Sequence, residues 1–207
     1  IENLSNSQDT QLLQKALNED SETVDIHHAG TAMRFLTSFY AIQEGRKTIL
    51  TGSERMKQRP IKPLVDALRE LGAEINYLEN EGFPPLEIHG KRIEKNFVKI
   101  PANISSQFIT SLLLIGASLE NGLEIELKGE ITSRSYIKMT LKILKDIGIE
   151  SRFERNSIKI LSSETSLYNK QLDKHFHTSK IKHYTVESDW SSASYFYSLA
   201  AIGKKRI

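Results

Sequence analysis

The chain contains no cysteine, one tryptophan and five prolines among 207 residues. Without cysteine there can be no disulfide, thiolate metal site or cysteine nucleophile, which is ordinary for a cytosolic protein. The longest apolar run, residues 109–117, is too short to cross a bilayer. The first residues lack methionine and a basic leader, so we predict no signal peptide and expect the chain to be part of a longer protein.

The chain also has no block of basic or acidic residues, because the two kinds are interspersed and the net charge is only +2. This pattern does not indicate a nucleic-acid-binding stripe, and it suits small anionic ligands better. The 39% hydrophobic content is enough for one large or two small domains with a real core.

Short β-rich runs alternate with helical periods, which predicts an α/β fold. Apolar spacing predicts a helix over residues 61–71, with Pro60 in its first turn and Gly72 as its left-handed end. The predicted strands are 24–28, 47–51, 74–78, 86–89, 97–100, 123–127, 151–154 and 157–161.

The pattern also repeats within the chain. The matched positions are Ile61 and Ile137, Leu68 and Leu144, and Gly72 and Gly148, with "FLTS" at Phe35 echoed by "FITS" at Phe108. We therefore predict two copies of one unit, 23–90 and 94–162, each ordered strand, helix, strand, helix, strand, strand.

Incomplete copies flank these two. Residues 1–22 resemble the second helix of a unit without its hairpin, 163–182 form a polar linker loop, and 187–207 open another strand-to-helix pattern. One domain is predicted over 1–186, followed by a crossover and the first helix of a second domain over 187–207.

Three predicted helices open on small residues, at Ala29-Gly30-Thr31, Ser105-Ser106-Gln107 and Ser191-Ser192-Ala193. A bare helix start attracts anions, because unpaired N–H groups and the helix dipole both point at the ligand, with about 0.3–1 kcal/mol from the dipole. For any one start, ordinary N-capping is the commoner explanation.

Arginines near these starts favour the anion-site reading. Arg34, Arg55 and Arg59 carry planar donors that suit carboxylate and phosphate, although Arg55 and Lys57 fit an exposed charge run equally well. In the second copy, the position of Arg59 is taken by the polar group Ser133, Arg134 and Tyr136.

Other candidates are weaker. His175 and His177 have alternate spacing that could bind a metal, but no third ligand is evident, and Asp189 is as well explained as a cap or ion-pair partner. No nucleotide-binding or Ser-His-Asp motif is present, so neither a cofactor nor a metal is expected.

Five linked motifs resemble the 5-enolpyruvylshikimate-3-phosphate synthase family. In order they are "AGTAMR", "ERMKQRPIKPLVDALRELGAEI", "SSQFITSLL", "SRSYI" and "VESDWSSASYF", and together the resemblance covers residues 3–202. It implies two domains, each of three such units, with helices inside and four-stranded sheets outside. It also implies transfer of the enolpyruvyl group of phosphoenolpyruvate to the 5-hydroxyl of shikimate 3-phosphate, as a cytoplasmic monomer without nucleic-acid or membrane partners.

By the same resemblance, two groups of residues bind the substrates. The group for shikimate 3-phosphate is Ser105, Ser106 and Ser133 at its phosphate, with Gln107 and Tyr136 at its ring. The group for phosphoenolpyruvate is Gly30, Thr31, Arg34 and Arg59. The family's inhibitor glyphosate is expected at the phosphoenolpyruvate subsite.

The sequence departs from the family at several points. His28 stands where the family usually has Asn, and Phe35 where it usually has Pro. The family's Lys-Ser-x-x-x-Arg segment and its acid/base carboxylates are expected outside these residues, so no catalytic residue is assigned here. The chain alone is expected to bind ligand weakly and to lack turnover.

Two alternatives remain open. One is the sister transferase that acts on UDP-N-acetylglucosamine, which generally uses a loop cysteine that this chain lacks. The other is a non-catalytic domain that binds phosphorylated ligands.

Overall fold

The computed structural model describes residues 2–162, 184–186 and 190–204. The chain divides into two compact units, Ile1–Phe176 and His177–Ile207. In chain order the elements are α1 (Gln8–Asn18), β1 (Thr23–Asp25), α2 (Gly30–Ala41), β2 (Lys47–Thr51), α3 (Glu54–Lys57), α4 (Lys62–Leu71), β3 (Glu74–Tyr77), β4 (Leu86–His89), β5 (Phe97–Pro101), α5 (Ser106–Gly116), β6 (Leu123–Lys128), α6 (Arg134–Asp146), β7 (Ser151–Glu154), β8 (Ser157–Ile160) and α7 (Trp190–Gly203).

Two four-stranded sheets share one topology. Their strand orders are β1-β2-β4-β3 and β5-β6-β8-β7, and in each the first pair is parallel and the others antiparallel. All eight predicted strands are present, and the α/β fold of repeated units is confirmed. We call β1 to β4 the first repeat and β5 to β8 the second repeat.

The helices cover one face of each sheet. Side chains along β2 and β6 therefore alternate between buried and partly or fully exposed. Helices α2 and α5 pack against each other, and α4 packs against both β5 and α5 of the second repeat. The first and second repeats therefore share one core, in which side chains such as Leu50, Ile88, Leu112 and Ile125 are fully buried.

Helices α4 and α6, which occupy equivalent positions in the two repeats, end in the same way. Gly72 and Gly148 have φ values of 112° and 96°, the left-handed conformation that glycine adopts without a steric penalty. The residue after each glycine donates its N–H to the carbonyl of Leu68 or Leu144 at 2.8 Å, which satisfies a helix-end acceptor.

Strand β1 is shorter than predicted and ends at Asp25, not His28. The Asp25 carboxylate accepts the N–H of His27 at 2.7 Å, and His27 adopts a positive φ of 47°. This local turn competes with the strand ladder, as Asp side chains commonly do.

The region between β2 and α4 also differs from the prediction. Residues Glu54–Lys57 form the short helix α3, which apolar periodicity could not reveal because the segment has only Met56 in the core. Helix α4 begins at Lys62, so Pro63 and not Pro60 occupies its first turn.

Two predictions concern the ends of the chain, which the structure describes only in part. No strand lies between α1 and β1, as expected for an incomplete copy, and α7 begins at Trp190, one residue before the predicted start. The linker with His175 and His177, and Asp189, lie outside the described residues, and the domain boundary near residue 186 stays a prediction. In the described part of the chain, no helix is long and apolar enough to cross a membrane.

Candidate functional site

The starts of the four main helices of the repeats face the same end of their sheets. Since β1 and β2 are parallel, both end at one edge, and α2 and the α3–α4 pair begin there. The same holds for α5 and α6 after β5 and β6. This topology explains how residues far apart in sequence form one site.

Gly30 and Arg59 are brought into direct contact at the start of α2. A methyl group on Gly30 would lie 2.8 Å from Cζ of Arg59, closer than real side chains approach. The guanidinium of Arg59 therefore lies directly against the start of α2, and a side chain at position 30 would have to displace it. The contact joins two residues that were predicted to share the phosphoenolpyruvate subsite.

Arg34 lies one turn further along α2 and is almost fully buried, with 5% of its surface exposed. Its Nη1 donates to the Gly30 carbonyl at 2.7 Å, whereas its Nε has no hydrogen-bond partner. Burial, and secondarily the positive charge of Arg59, lowers the pKa of Arg34 to about 10. The guanidinium remains charged at neutral pH, and no carboxylate among the described residues pairs with it, so a bound anion would stabilise it.

Gln107 connects the starts of α5 and α2. Its Nε2 donates to Oγ1 of Thr31 at 2.9 Å, so residues predicted for different substrates touch each other. Ser105 is the N-cap of α5 and accepts the Gln107 N–H at 3.4 Å, while Ser106 is the first helical residue. The ordinary capping role of Ser105 is therefore real, and it leaves the Ser105 hydroxyl hydrogen free to donate.

The polar residues at the start of α6 have different roles. Ser133 is the N-cap residue, but its side chain makes no capping bond, and Tyr136 is 58% exposed. Arg134 lies with Cζ 5.3 Å from the centre of the Phe153 ring, which gives it a packing role. Thr110 and Thr140 approach to 3.3 Å between their hydroxyls and tie α6 to α5.

The charged segment after β2 separates into paired and unpaired residues. Lys57 forms ion pairs with Glu54 at 3.3 Å and Glu79 at 2.9 Å, and its side chain is only partly exposed, so its charge is already paired. Within the described ranges, Arg55 and Arg59 have no carboxylate within ion-pair distance.

Ser53 was missed by the sequence reasoning, although serine before glutamate is a recognisable helix start. Its Oγ caps α3 by accepting the Met56 N–H at 3.3 Å, and it also bonds Nδ1 of His28 at 2.8 Å. His28, Arg55, Met56 and Arg59 line a cavity of about 550 Å³. The unusual His28 therefore faces the same space as the two free arginines.

Phe35, the other departure from the family, lies elsewhere. It lines a larger cavity of about 710 Å³ beside Leu13, Phe39 and Leu114, which offers mainly apolar contacts. That cavity includes none of the residues predicted to bind substrate, so Phe35 is not part of the wall around His28.

Repeated strand-helix-strand-helix-strand-strand units, with their helix starts gathered at one edge of each sheet, define the class of α/β domain to which this chain belongs. The chain belongs to the EPSP synthase (3-phosphoshikimate 1-carboxyvinyltransferase) family, whose profile matches residues 2–207. It therefore has the enolpyruvyl transferase fold.

Relatives support this assignment. The chain is 50% identical over 201 residues to a 3-phosphoshikimate 1-carboxyvinyltransferase of Bacteroides fragilis, covering 97% of this chain and 45% of the relative. It is 43% identical over 195 residues to one of Haemophilus influenzae, covering 91% and 42%. The chain thus spans about half the length of the curated relatives it matches.

A solved EPSP synthase from Acinetobacter baumannii shares the fold, with a TM-score of 0.59 at 23% identity over 69% of this chain and 31% of that one.

Proposed function

We propose that the full-length protein transfers the enolpyruvyl group of phosphoenolpyruvate to the 5-hydroxyl of shikimate 3-phosphate, releasing phosphate in aromatic amino acid biosynthesis. The residues described here would form one wall of its active site. The observation that carries the proposal is the meeting of the two helix starts, where Arg59 covers Gly30 and Gln107 bonds Thr31.

Phosphoenolpyruvate would bind at the start of α2. Arg59 offers a forked donor against the start of α2 at Gly30, and Arg34 adds a buried positive charge whose Nε lacks a partner. Thr31 completes this subsite. A carboxylate or phosphate there would stabilise the buried charge of Arg34 and pair with the exposed guanidinium of Arg59.

Shikimate 3-phosphate would bind at the starts of α5 and α6. The hydroxyls of Ser105, Ser106 and Ser133 are neutral donors for its phosphate, and the amide of Gln107 with the exposed ring of Tyr136 would contact its ring. The Gln107–Thr31 bond supports two subsites side by side, because a reaction between two bound substrates requires them to be adjacent.

These residues would orient both substrates and stabilise developing charge, whereas the acid and base that move protons are expected in the remainder of the protein. Glyphosate would compete at the phosphoenolpyruvate subsite. We also propose a cytoplasmic monomer; the cysteine-free composition supports the compartment, and the monomeric state depends on the family resemblance alone.

The test is phosphate release from shikimate 3-phosphate and phosphoenolpyruvate by the full-length protein, compared with its Ser106→Ala variant. Loss of one hydrogen bond to a charged group should raise KM for shikimate 3-phosphate about 10-fold or more. KM for phosphoenolpyruvate should change much less, because Ser106 is assigned to the other subsite.

Ser7→Ala is the matched control, since Ser7 is also a serine at a helix start but lies outside the site, at α1. It should leave both KM values unchanged. No phosphate release by the full-length protein would reject the proposed reaction, and an unchanged KM in Ser106→Ala would reject the assigned phosphate site.

A further inference from the structure

We propose that His28 is an additional binding residue for phosphoenolpyruvate, which donates a hydrogen bond to the ligand and takes up a proton when the ligand binds. The proposal deepens the proposed function and rests on its assignment of the phosphoenolpyruvate subsite. It makes binding of this substrate pH-dependent through one residue of this chain.

The position of His28 is set by the turn that ends β1. The Asp25–His27 bond and the positive φ of His27 redirect the backbone, and the Ala29 N–H then donates to the Ile26 carbonyl at 2.9 Å. The far side of the turn is closed by Gly52, where a methyl group would lie 2.7 Å from the His27 carbonyl oxygen. His28 is thus held against the end of β2 by backbone geometry.

Ser53 orients the imidazole without restricting its protonation state. In the neutral tautomer with its proton on Nε2, the Ser53 hydroxyl donates to Nδ1 and Nε2 is free to donate to a ligand. When the ring is charged, the Ser53 oxygen accepts from both Nδ1 and the Met56 N–H. A serine partner therefore allows the ring to gain a proton with its contact intact.

The cavity that His28 lines contains the features of an anion site. Arg55 and Arg59 share the wall, and Arg59 extends from it to the start of α2. Only Met56 contributes an apolar surface among the four lining residues. An Nε2–H group directed at a bound anion would add a third donor to the two guanidinium groups.

The charged and titratable groups on the elements around His28 include both signs, yet the carboxylates are occupied. These groups are Asp25, bonded to the His27 N–H; His27, with its ring centre 4.0 Å from that of His28; Glu54, paired with Lys57; and the free cations Arg55 and Arg59. Bound phosphoenolpyruvate would bring several negative charges into the same space and would favour a positive charge on the His28 ring.

Protonation and binding are therefore reciprocally linked, because the ligand that stabilises the imidazolium also binds more tightly to it. Acidification through about pH 8 to 5, where imidazoles ordinarily titrate, should tighten the interaction that His28 contributes. Phosphoenolpyruvate itself gains a proton in the lower part of this range, so the effect must be measured as a difference between variants.

The experiment is calorimetric titration of phosphoenolpyruvate into the full-length protein and its His28→Asn variant at pH 6 and pH 8.5. The wild type should bind about fivefold more tightly than His28→Asn at pH 6, and the ratio should fall below about twofold at pH 8.5. Titration at pH 7 in two buffers of different ionisation enthalpy should show that the wild type takes up more protons.

His27→Asn is the matched control, because it removes the neighbouring imidazole at a positive φ that asparagine tolerates. It should behave as the wild type in both measurements. His28→Gln, which keeps a donor of similar reach without a titrating ring, should lose the extra proton uptake.

Equal affinity ratios at both pH values, or equal proton uptake in His28→Asn and the wild type, would overturn the inference. If those variants still release phosphate in the turnover assay, the proposed function stands while the role of His28 does not. Failure of the wild type to bind phosphoenolpyruvate would overturn the inference too, and the turnover assay then judges the reaction separately.

Discussion

The two repeats have the same strand order, but their helix starts carry different chemistry. The first repeat offers cations, with Arg34 buried and Arg59 over Gly30, whereas the second offers the hydroxyls of Ser105 and Ser106. One backbone plan thus carries two kinds of helix start, because the N–H groups at a helix start belong to the backbone and the side chains are free to differ.

The repeats also differ in how well their second helices are covered. Helix α4 packs against its own repeat and against β5 and α5, whereas α6 contacts α5 and β7. Met139 and Ile147, on and just after α6, are more than half exposed. We therefore expect the first repeat to be packed more rigidly than the second repeat, which lies at the edge of the described core.

The largest effect should come from truncating the matched leucines of these helices. Leu68→Ala should lower the free energy of unfolding by about 4 kcal/mol, and Leu144→Ala by about 2–3 kcal/mol, because the less covered helix can relax into its cavity. Urea denaturation of both variants measures the difference. Equal losses would mean that the two helices are packed with equal rigidity.

A smaller effect is expected at the equivalent serines that join α2 to α5. Ser111 Oγ donates to the Arg34 carbonyl at 2.7 Å and lies 2.6 Å from Ser38 Oγ, and both residues are buried. Ser111→Ala should cost about 2 kcal/mol, because it leaves the Ser38 hydroxyl without its partner, and Ser38→Ala about 1 kcal/mol.

Thermal or urea unfolding of these two variants and the double variant measures the coupling between the serines. Additive losses would show that the serines do not act as a pair. The comparison also tests whether Ser38 and Ser111, which occupy equivalent positions in the two repeats, contribute differently to stability where they meet.

The smallest effect, and no difference between repeats, is expected at the helix-ending glycines. Gly72→Ala and Gly148→Ala should each lower the free energy of unfolding by about 1 kcal/mol, because alanine is strained at a positive φ. At Gly72 nothing lies within 4 Å of the added methyl, so the cost there is purely conformational. Unequal losses in urea denaturation would show that the two caps are not equivalent.

Much of the fold could be predicted from the sequence because it depends on local periodicity. The bounds of β2, β4 and β7 agree with the prediction, and the glycine ends of α4 and α6 follow from the conformation that only glycine adopts easily. Apart from the start of α4, the errors were at β1 and α3, where a side-chain hydrogen bond and a single buried Met56 decide the structure. Such short-range competition leaves no periodic signal.

For the site, the sequence indicated which helix starts were bare and which arginines were near them. It did not indicate that Gln107 bonds Thr31, that Lys57 is paired while Arg55 is free, or that Ser53 holds His28. Each of these facts depends on contacts between segments far apart in the chain, which one sequence does not reveal. The assigned substrate roles stay proposals.

The sequence by itself determined the repeated units, their element order and the small residues at the helix starts, because each is encoded within one local segment. Only the tertiary structure decided that Arg59 covers Gly30, that the two substrate groups touch and that His28 and Phe35 face different cavities. The physical reason is that parallel first strands bring the helix starts to one edge, where charge, burial and hydrogen bonds are set by neighbours from other segments.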